Sequence, residues 1–254
     1  MCELFGVSAD WTIPVNDYLK TFYSHSVEHH HGWGLALLDD GHVSIEKEPV
    51  RAVDSRYLKN RLTCKVITSR CMAHIRKATI GDVSYVNTHP FAVKDSSGRK
   101  WVFVHNGTIF ESDGLNKYIY VQQGSTDSER LLYYIVDRVN ELNKRGADDK
   151  ARFELISNIV RDITPGNKMN FLLYDGDYFY VHKNEPGTMY RLIRPGIAVF
   201  STHPLDDQKW EEFPQDQLIV YKNGRVVYEA EPHGNTYIHD EEKMRFLYLD
   251  HSML

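Results

Sequence analysis

A cysteine directly follows the initiator methionine in the opening run Met1-Cys2-Glu3-Leu4-Phe5-Gly6-Val7. Removal of Met1 would leave one residue holding both a thiol and a free α-amine. Such an amine titrates near ~7.7–8.0, so it can act as a general base near neutral pH without a histidine. While Met1 stays attached, that nitrogen is an amide and cannot do so. Cys2 alone equally suits the first position of a strand, because an unpaired cysteine behaves as a small hydrophobe.

Four further motifs bear on that choice. His74-Ile75-Arg76-Lys77-Ala78-Thr79-Ile80-Gly81 ends a predicted strand. Arg76 could clamp a carboxylate through paired N–H bonds, with Thr79 adding a hydroxyl donor, although an isolated arginine is more often a surface residue. In Asn87-Thr88-His89-Pro90-Phe91, His89 suits either a substrate contact or a hydrogen-bonded structural histidine. His105-Asn106-Gly107 follows a core strand. A side-chain amide at Asn106 and the backbone N–H of Gly107 could hold an oxyanion, while Asn-Gly is also a turn signal. Thr126-Asp127-Ser128-Glu129 opens a helix, where Asp127 could pair with a substrate ammonium or merely cap the helix. Taken together, these groups describe a binder of an α-amino acid: Arg76 for its carboxylate, Asp127 for its amine, Asn106 and Gly107 for a developing oxyanion, Cys2 for the scissile carbonyl.

The elements that must position these residues follow from periodicity. Strands are predicted over 4–9, 34–38, 42–46, 65–72 and 101–104, with a turn at Asp39-Asp40-Gly41. Helices are predicted near 15–28 and 55–62. The clearest helix starts at Thr126, whose spacing to Glu129 is that of a capping box, and buries Leu131, Leu132, Ile135, Val136, Val139 and Leu142. A second carries Phe153, Ile156, Val160 and Ile163 and stops at Pro165-Gly166. Hairpins follow around Asp175-Gly176-Asp177 and Asn223-Gly224. Strands, two helices and strands again predict one α+β domain spanning residues 1–254.

Composition narrows the function classes. The chain has 254 residues, 42% of them hydrophobic and 26% charged, and its net charge of -5 does not suggest a nucleic-acid footprint, which normally shows a clustered basic face. No apolar run approaches the ~18 residues of a membrane span, and Glu3 and Asp10 are foreign to a signal peptide. Three cysteines without CxxC spacing argue against a disulfide framework or structural zinc and fit a reducing cytoplasm.

Cys2, Arg76-Lys77-Ala78-Thr79-Ile80-Gly81, Asn87-Thr88-His89-Pro90-Phe91, His105-Asn106-Gly107 and Thr126-Asp127-Ser128-Glu129 together resemble the class II glutamine amidotransferases. Within that family of N-terminal-nucleophile hydrolases, Gly32-Trp33-Gly34 and the Asn87–Phe91 run are similar to the stand-alone branch. That branch includes the ergothioneine-pathway amidohydrolase and the amidotransferase-like subunit of a glutathione-degrading complex. His31 departs from its pattern, which commonly has an acidic residue there. The resemblance implies a four-layered αββα fold, no cofactor and no metal. It further implies attack of Cys2 on the γ-carbonyl of glutamine or a γ-glutamyl amide, through a thioester.

Arg76, Thr79, His89 and Asp127 would then bind substrate, and Asn106 and Gly107 would serve catalysis. No synthase-like segment appears within the 254 residues. Ammonia would then pass to a separate synthase, or the enzyme simply hydrolyses its substrate, and the expectation leans to hydrolysis; a synthase or peptidase would be the partner subunit. A homo-oligomer is compatible with either.

Three rivals remain open at this stage. One is another N-terminal-cysteine hydrolase of the bile-salt or penicillin acylase kind. A second is a metal-binding protein using His25, His29, His30 and His31, although no acidic or cysteine partner stands near them at ligand spacing. The third is a non-catalytic regulatory subunit.

Overall fold

A computed structural model describes residues 2–39, 41–110 and 112–241. The chain opens with β1 (Glu3–Pro14), α1 (Asn16–Ser24), β2 (Trp33–Asp39), β3 (His42–Glu48), α2 (Arg56–Arg61) and β4 (Ile67–Ile75). Then come β5 (Phe91–Lys94), β6 (Lys100–Thr108), a single turn α3 (Asp113–Asn116), and the two longer helices α4 (Asp127–Asn143) and α5 (Asp149–Ile163). The rest is strand: β7 (Lys168–Tyr174), β8 (Phe179–Lys183), β9 (Tyr190–Arg194), β10 (Ile197–Ser201), β11 (Glu211–Glu212), β12 (Gln217–Lys222) and β13 (Arg225–Glu229). They form a seven-stranded sheet, β11-β9-β10-β1-β4-β2-β3, and a six-stranded sheet, β13-β12-β8-β7-β6-β5.

Side-chain alternation explains why these sheets are stacked and covered. On β1, Leu4 faces one way and Phe5, Val7 and Ala9 the other, so both faces need burying. Leu4 joins Ala36, Met72, Val104, Leu172 and Phe179 in a core between the sheets. Phe5 and Val7 pack under Leu19 and Phe22 of α1 and Leu58 of α2. On β6, Val102 and Val104 turn inward, while Trp101 and Phe103 turn out beneath Leu131, Ile135 and Ile156 of α4 and α5. The result is the expected αββα sandwich, with three apolar interfaces separating four layers.

Gly6 lies where the sheets approach closely. A Cβ there would stand 2.7 Å from Leu172 Cδ1 and 2.8 Å from a ring carbon of Phe179, so any larger side chain would push the sheets apart.

Most predicted elements are present, with instructive differences. The helix predicted over 15–28 ends as α1 at Ser24 and tightens into a 3₁₀ turn over His25–Glu28. Thr126 caps α4, its Oγ1 accepting the Glu129 N–H at 3.2 Å. Glu129 does not reach back to close the box; its carboxylate accepts the N–H groups of Gln123 and Gly124, at 2.9 and 2.8 Å. The strand predicted over 101–104 runs on to Thr108, so Asn106-Gly107 is no turn but part of the ladder, opposite Asn170 and Met169. At Asn223-Gly224 both residues take positive φ, 53° and 71°, as the hairpin reading requires. Asp40 of the other turn lies outside the described residues.

Leu172 is fully buried between the sheets. Leu172→Ala is expected to cost about 2–5 kcal/mol in urea-unfolding free energy, with little change in the m-value.

Candidate active site

Cys2 immediately precedes β1, the strand flanked by β10 and β4. Pairing of Glu3 with Ile75 brings Cys2 to the last residues of β4 and the chain that follows. There the Lys77 N–H points at Cys2 Sγ, 3.4 Å away, and the thiol donates to the Lys77 carbonyl at 3.5 Å. Strand alternation puts Cys2 on the same side as Leu4, facing the second sheet. On β6, the same rule continues the inward set Val102, Val104 to Asn106 and Thr108. The thiol and the Asn106-Gly107 pair therefore meet at one end of the inter-sheet core.

A cavity of about 30 Å³ lies between them, walled by Cys2, Lys77, Thr79, Asn106, Gly107 and Thr108. Thr79 and Thr108 touch through their hydroxyls at 3.3 Å. Lys168, Tyr237 and His239 complete the wall. Gly107 admits no side chain, because a Cβ would lie 2.1 Å from the Lys168 carbonyl oxygen.

Electrostatics around the sulfur are mixed. Burial pushes the Cys2 thiol pKa up, while the Lys77 N–H and the charges of Arg76 and Lys168 oppose the rise. Burial lowers the Lys168 pKa, and its ion pair with Glu185 at 2.5 Å works the other way.

Arg76 and Asp127 stand behind the cavity rather than in its wall. Three N–H groups of Arg76 donate to backbone carbonyls of the following loop: Asp82 at 2.8 Å, Ile80 and Gly81 at 2.9 Å. Asp127 approaches from the helical layer as the first residue of α4. Its carboxylate accepts the N–H of Ile109 at 2.7 Å and of Ser128 at 2.9 Å, holding the end of β6 to the start of the helix.

His89 is buried, its ring 4.2 Å from that of His74 and 4.4 Å from Phe91. It does not line the cavity. Gly34 makes its position reachable, since a Cβ there would come 2.0 Å from the His89 carbonyl oxygen. Neither ring nitrogen of His89 has a hydrogen-bond partner among the described residues. Burial tolerates such a ring only when neutral, and desolvation drives the His89 pKa well down.

The histidine-rich stretch is spent on other work. His31 Nδ1 accepts the Ala78 N–H at 2.8 Å, and the His31 backbone N–H donates to the Arg76 carbonyl at 3.0 Å. The residue that departs from the family pattern thus pins the segment that touches the nucleophile. His25 Nδ1 meets Glu3 at 2.8 Å, an acidic partner 22 positions away that sequence spacing did not reveal. His29 Nδ1 donates to the His25 carbonyl at 3.0 Å and His30 bonds the Val27 carbonyl. Among the described residues, no group of three or more side chains could hold a metal ion.

Lys77, Thr108, Lys168, Tyr237 and His239 escaped the sequence reading. Extending strand alternation two residues past Asn106 would have found Thr108. Lysine at the head of the apolar run Met169–Tyr174 was a second available signal. Nothing local marks Tyr237 or His239.

Two antiparallel sheets packed between helical layers, with a cysteine leading a central strand, define the architecture of the N-terminal-nucleophile amidotransferases. The sequence profile of the class-II glutamine amidotransferases matches residues 1–196, and the chain belongs to that family. It is thus an enzyme of a family whose reaction is hydrolysis of the glutamine amide. It is 30% identical to an uncharacterized protein of Methanocaldococcus jannaschii, over 90% of this chain and 71% of that one. In fold it is similar to a predicted glutamine amidotransferase from Pseudomonas aeruginosa, with TM-score 0.61 and 21% identity over 89% of this chain and 100% of that chain. It is also similar to the glutamine phosphoribosylpyrophosphate amidotransferase of B. subtilis, with TM-score 0.68 and 16% identity over 92% of this chain and 49% of that chain. No described helix is long and apolar enough to cross a membrane.

Histidine burial has a thermodynamic consequence. Desolvation lowers the pKa of both His74 and His182 to about 3. Their depressed values mean the unfolded chain binds more protons below its own pKa near ~6.5, so stability is full above that pH and falls as pH drops toward 3. Urea unfolding at pH 5 is expected to show a loss of about 2 kcal/mol for each of these two histidines relative to pH 7.5. His182→Phe should flatten part of that dependence.

Proposed function

We propose that this enzyme hydrolyses the γ-amide of glutamine, or of a γ-glutamyl amide, through a thioester on Cys2. The observation that carries the reading is the placement of Cys2 Sγ across a small cavity from Asn106 and Gly107, with the Lys77 N–H on the sulfur. Burial keeps the thiol protonated, so a base is needed. Removal of Met1 would supply one in the Cys2 α-amine, acting directly or through a water.

The sulfur then bonds to the γ-carbon, and the carbonyl π pair moves to oxygen. The side-chain amide of Asn106 and the Gly107 N–H stabilise that oxyanion. Collapse breaks the C–N bond, and the departing nitrogen takes the proton from the α-ammonium. Water hydrolyses the thioester and releases glutamate. Lys168 adds positive charge beside the sulfur and favours the thiolate.

Arg76 is assigned to the substrate carboxylate and Asp127 to its amine, with Thr79 bonding from the wall. For Arg76 this requires the 80–82 loop to release N–H groups it now occupies. His89 acts by shaping the pocket through His74 and Phe91. One domain over 1–254 is supported by the pairing of β1 with β10, which interleaves distant parts of the chain. Cys2, Cys64 and Cys71 are all free, in keeping with a reducing cytoplasm.

Glutamate release from glutamine and from a panel of γ-glutamyl amides tests the reading. Cys2→Ala should abolish release, and Asn106→Ala should lower kcat by roughly 10²–10³ while leaving Tm unchanged. Full activity in Cys2→Ala would sink the proposal. The rate should climb with pH through ~7.7–8.0 as the α-amine loses its proton. Active protein whose intact mass still includes Met1 would rule out the amine as base. Release that appears only with a partner protein would point to ammonia delivery instead.

A further inference from the structure

Part of the wall of the cavity over Cys2 comes from a segment that belongs to no sheet or helix. Residues 230–240 have no regular secondary structure, yet Tyr237 and His239 are part of the cavity wall. This segment lies beyond residues 1–196, where the family profile ends. With it in place, the cavity of about 30 Å³ holds about two water molecules at ~10–15 Å³ each. Small-molecule sites are typically ~300–1,000 Å³, so glutamine does not enter unless a wall moves.

The strap is held by individual bonds and one ring contact rather than by a strand or helix ladder. Near its start, the His233 N–H donates to the Asp216 carbonyl at 2.9 Å. Asn235 holds Arg161 O at 3.2 Å and Thr164 Oγ1 at 3.1 Å. His233 also meets buried His182, Nε2 to Nε2, at 2.9 Å. Bond accounting assigns the protons: His182 Nδ1 donates to the Met169 carbonyl, so its Nε2 accepts, and His233 Nε2 is the donor. His233 Nδ1 in turn accepts the Asn235 N–H at 3.0 Å. Further on, the strap is held by the Tyr237 N–H to the Asn184 carbonyl at 2.7 Å and by the Tyr237 ring, which stacks on Phe110 at 6.3 Å. Ile238 is 82% exposed. The other wall residues belong to the sheets or to the Lys77–Thr79 segment, which His31 pins at Ala78.

We propose that residues 230–241 form a movable strap over Cys2, hinged at the His182–His233 pair, and that Tyr237 and His239 restrict the closed site to small leaving groups. Ammonia from a primary γ-amide leaves beneath the strap, whereas a bulky amine requires it to swing off. This rests on Cys2 being the reacting residue, and it deepens that reading by selecting primary amides over substituted γ-glutamyl amides.

Thiol labelling reads the strap independently of turnover. Cys64 is exposed and serves as a reference within the same molecule. Iodoacetamide and N-phenylmaleimide are compared, with peptide mass spectrometry reporting Cys2 and Cys64 separately. In the wild type the bulky reagent should lag far behind the small one at Cys2. His233→Ala and Tyr237→Ala should speed bulky labelling of Cys2 at least tenfold and leave Cys64 unchanged. The same variants should raise kcat/KM for γ-glutamyl-p-nitroanilide relative to glutamine.

Should either variant fail to fold, hydrogen exchange on the wild type decides. Loading Cys2 with the maleimide should deprotect the Asn235 and Tyr237 amides, and unchanged protection would overturn the strap. Equal bulky-to-small ratios in wild type and in variants with wild-type Tm would overturn it too. Gated labelling without any turnover would fail the enzymatic reading alone, and turnover without size dependence would fail the strap alone.

Discussion

The face-to-face contact of the two sheets is the constraint on which the rest depends. Leu4, Met72 and Phe200 from one sheet must meet Val104, Leu172 and Phe179 from the other, with Gly6 allowing the closest approach. Because residues alternate along a strand, the same contact dictates what happens two residues beyond its edge. Cys2, just before β1, continues outward from Leu4, and Asn106 follows Val104 on β6, so both reach the end of the core facing each other. A one-residue slip in either strand would turn one of them into a helical layer.

That placement also determines the local electrostatics. The end of the core is dry enough to raise the thiol pKa and to keep His74, His89 and His105 neutral. Against this background stand the partial charge of the Lys77 N–H and two cations, Arg76 and Lys168. Fixed dipoles and charges act more strongly in such surroundings than in water. The supports are layered behind the site: His31 holds the Lys77–Ala78 segment, Asp127 ties β6 to α4, and His89 fills the gap that Gly34 leaves.

Much of the fold was legible because its signals are local. Thr126 marks the start of α4, Pro165-Gly166 follows the end of α5, and Asn223-Gly224 turns the last hairpin. One local signal points away from the observed structure. Asn106-Gly107 reads as a turn, yet pairing with β7 keeps it extended, since tertiary hydrogen bonds outweigh the propensity of two residues. In the histidine run, where a metal site is the disfavoured alternative to a solvated helix end, the rings of His25, His29 and His30 bond one by one to Glu3 and backbone carbonyls. Short β5, β9, β10 and β11 are not among the predicted strands; β9 and β11 carry no distinctive pattern, whereas the apolar run Ile197-Ala198-Val199-Phe200 after Pro195-Gly196 was an available signal for β10.

Sequence by itself determined the chemistry on offer: a thiol at position 2, an arginine, an amide beside a glycine, and an acid at a helix start, in the order of one family. Periodicity also determined one α+β domain of layered sheets and helices, and the resemblance to that family implied four layers. Only the tertiary structure decided which of these groups share a cavity. It placed Cys2, Thr79, Asn106 and Gly107 together, held Arg76 and Asp127 one step back, and brought in Lys168, Tyr237 and His239. The reason is physical. Residue type and periodicity are properties of a short window, whereas a wall built from residues 2, 107, 168 and 239 exists only once register and sheet packing have brought them together.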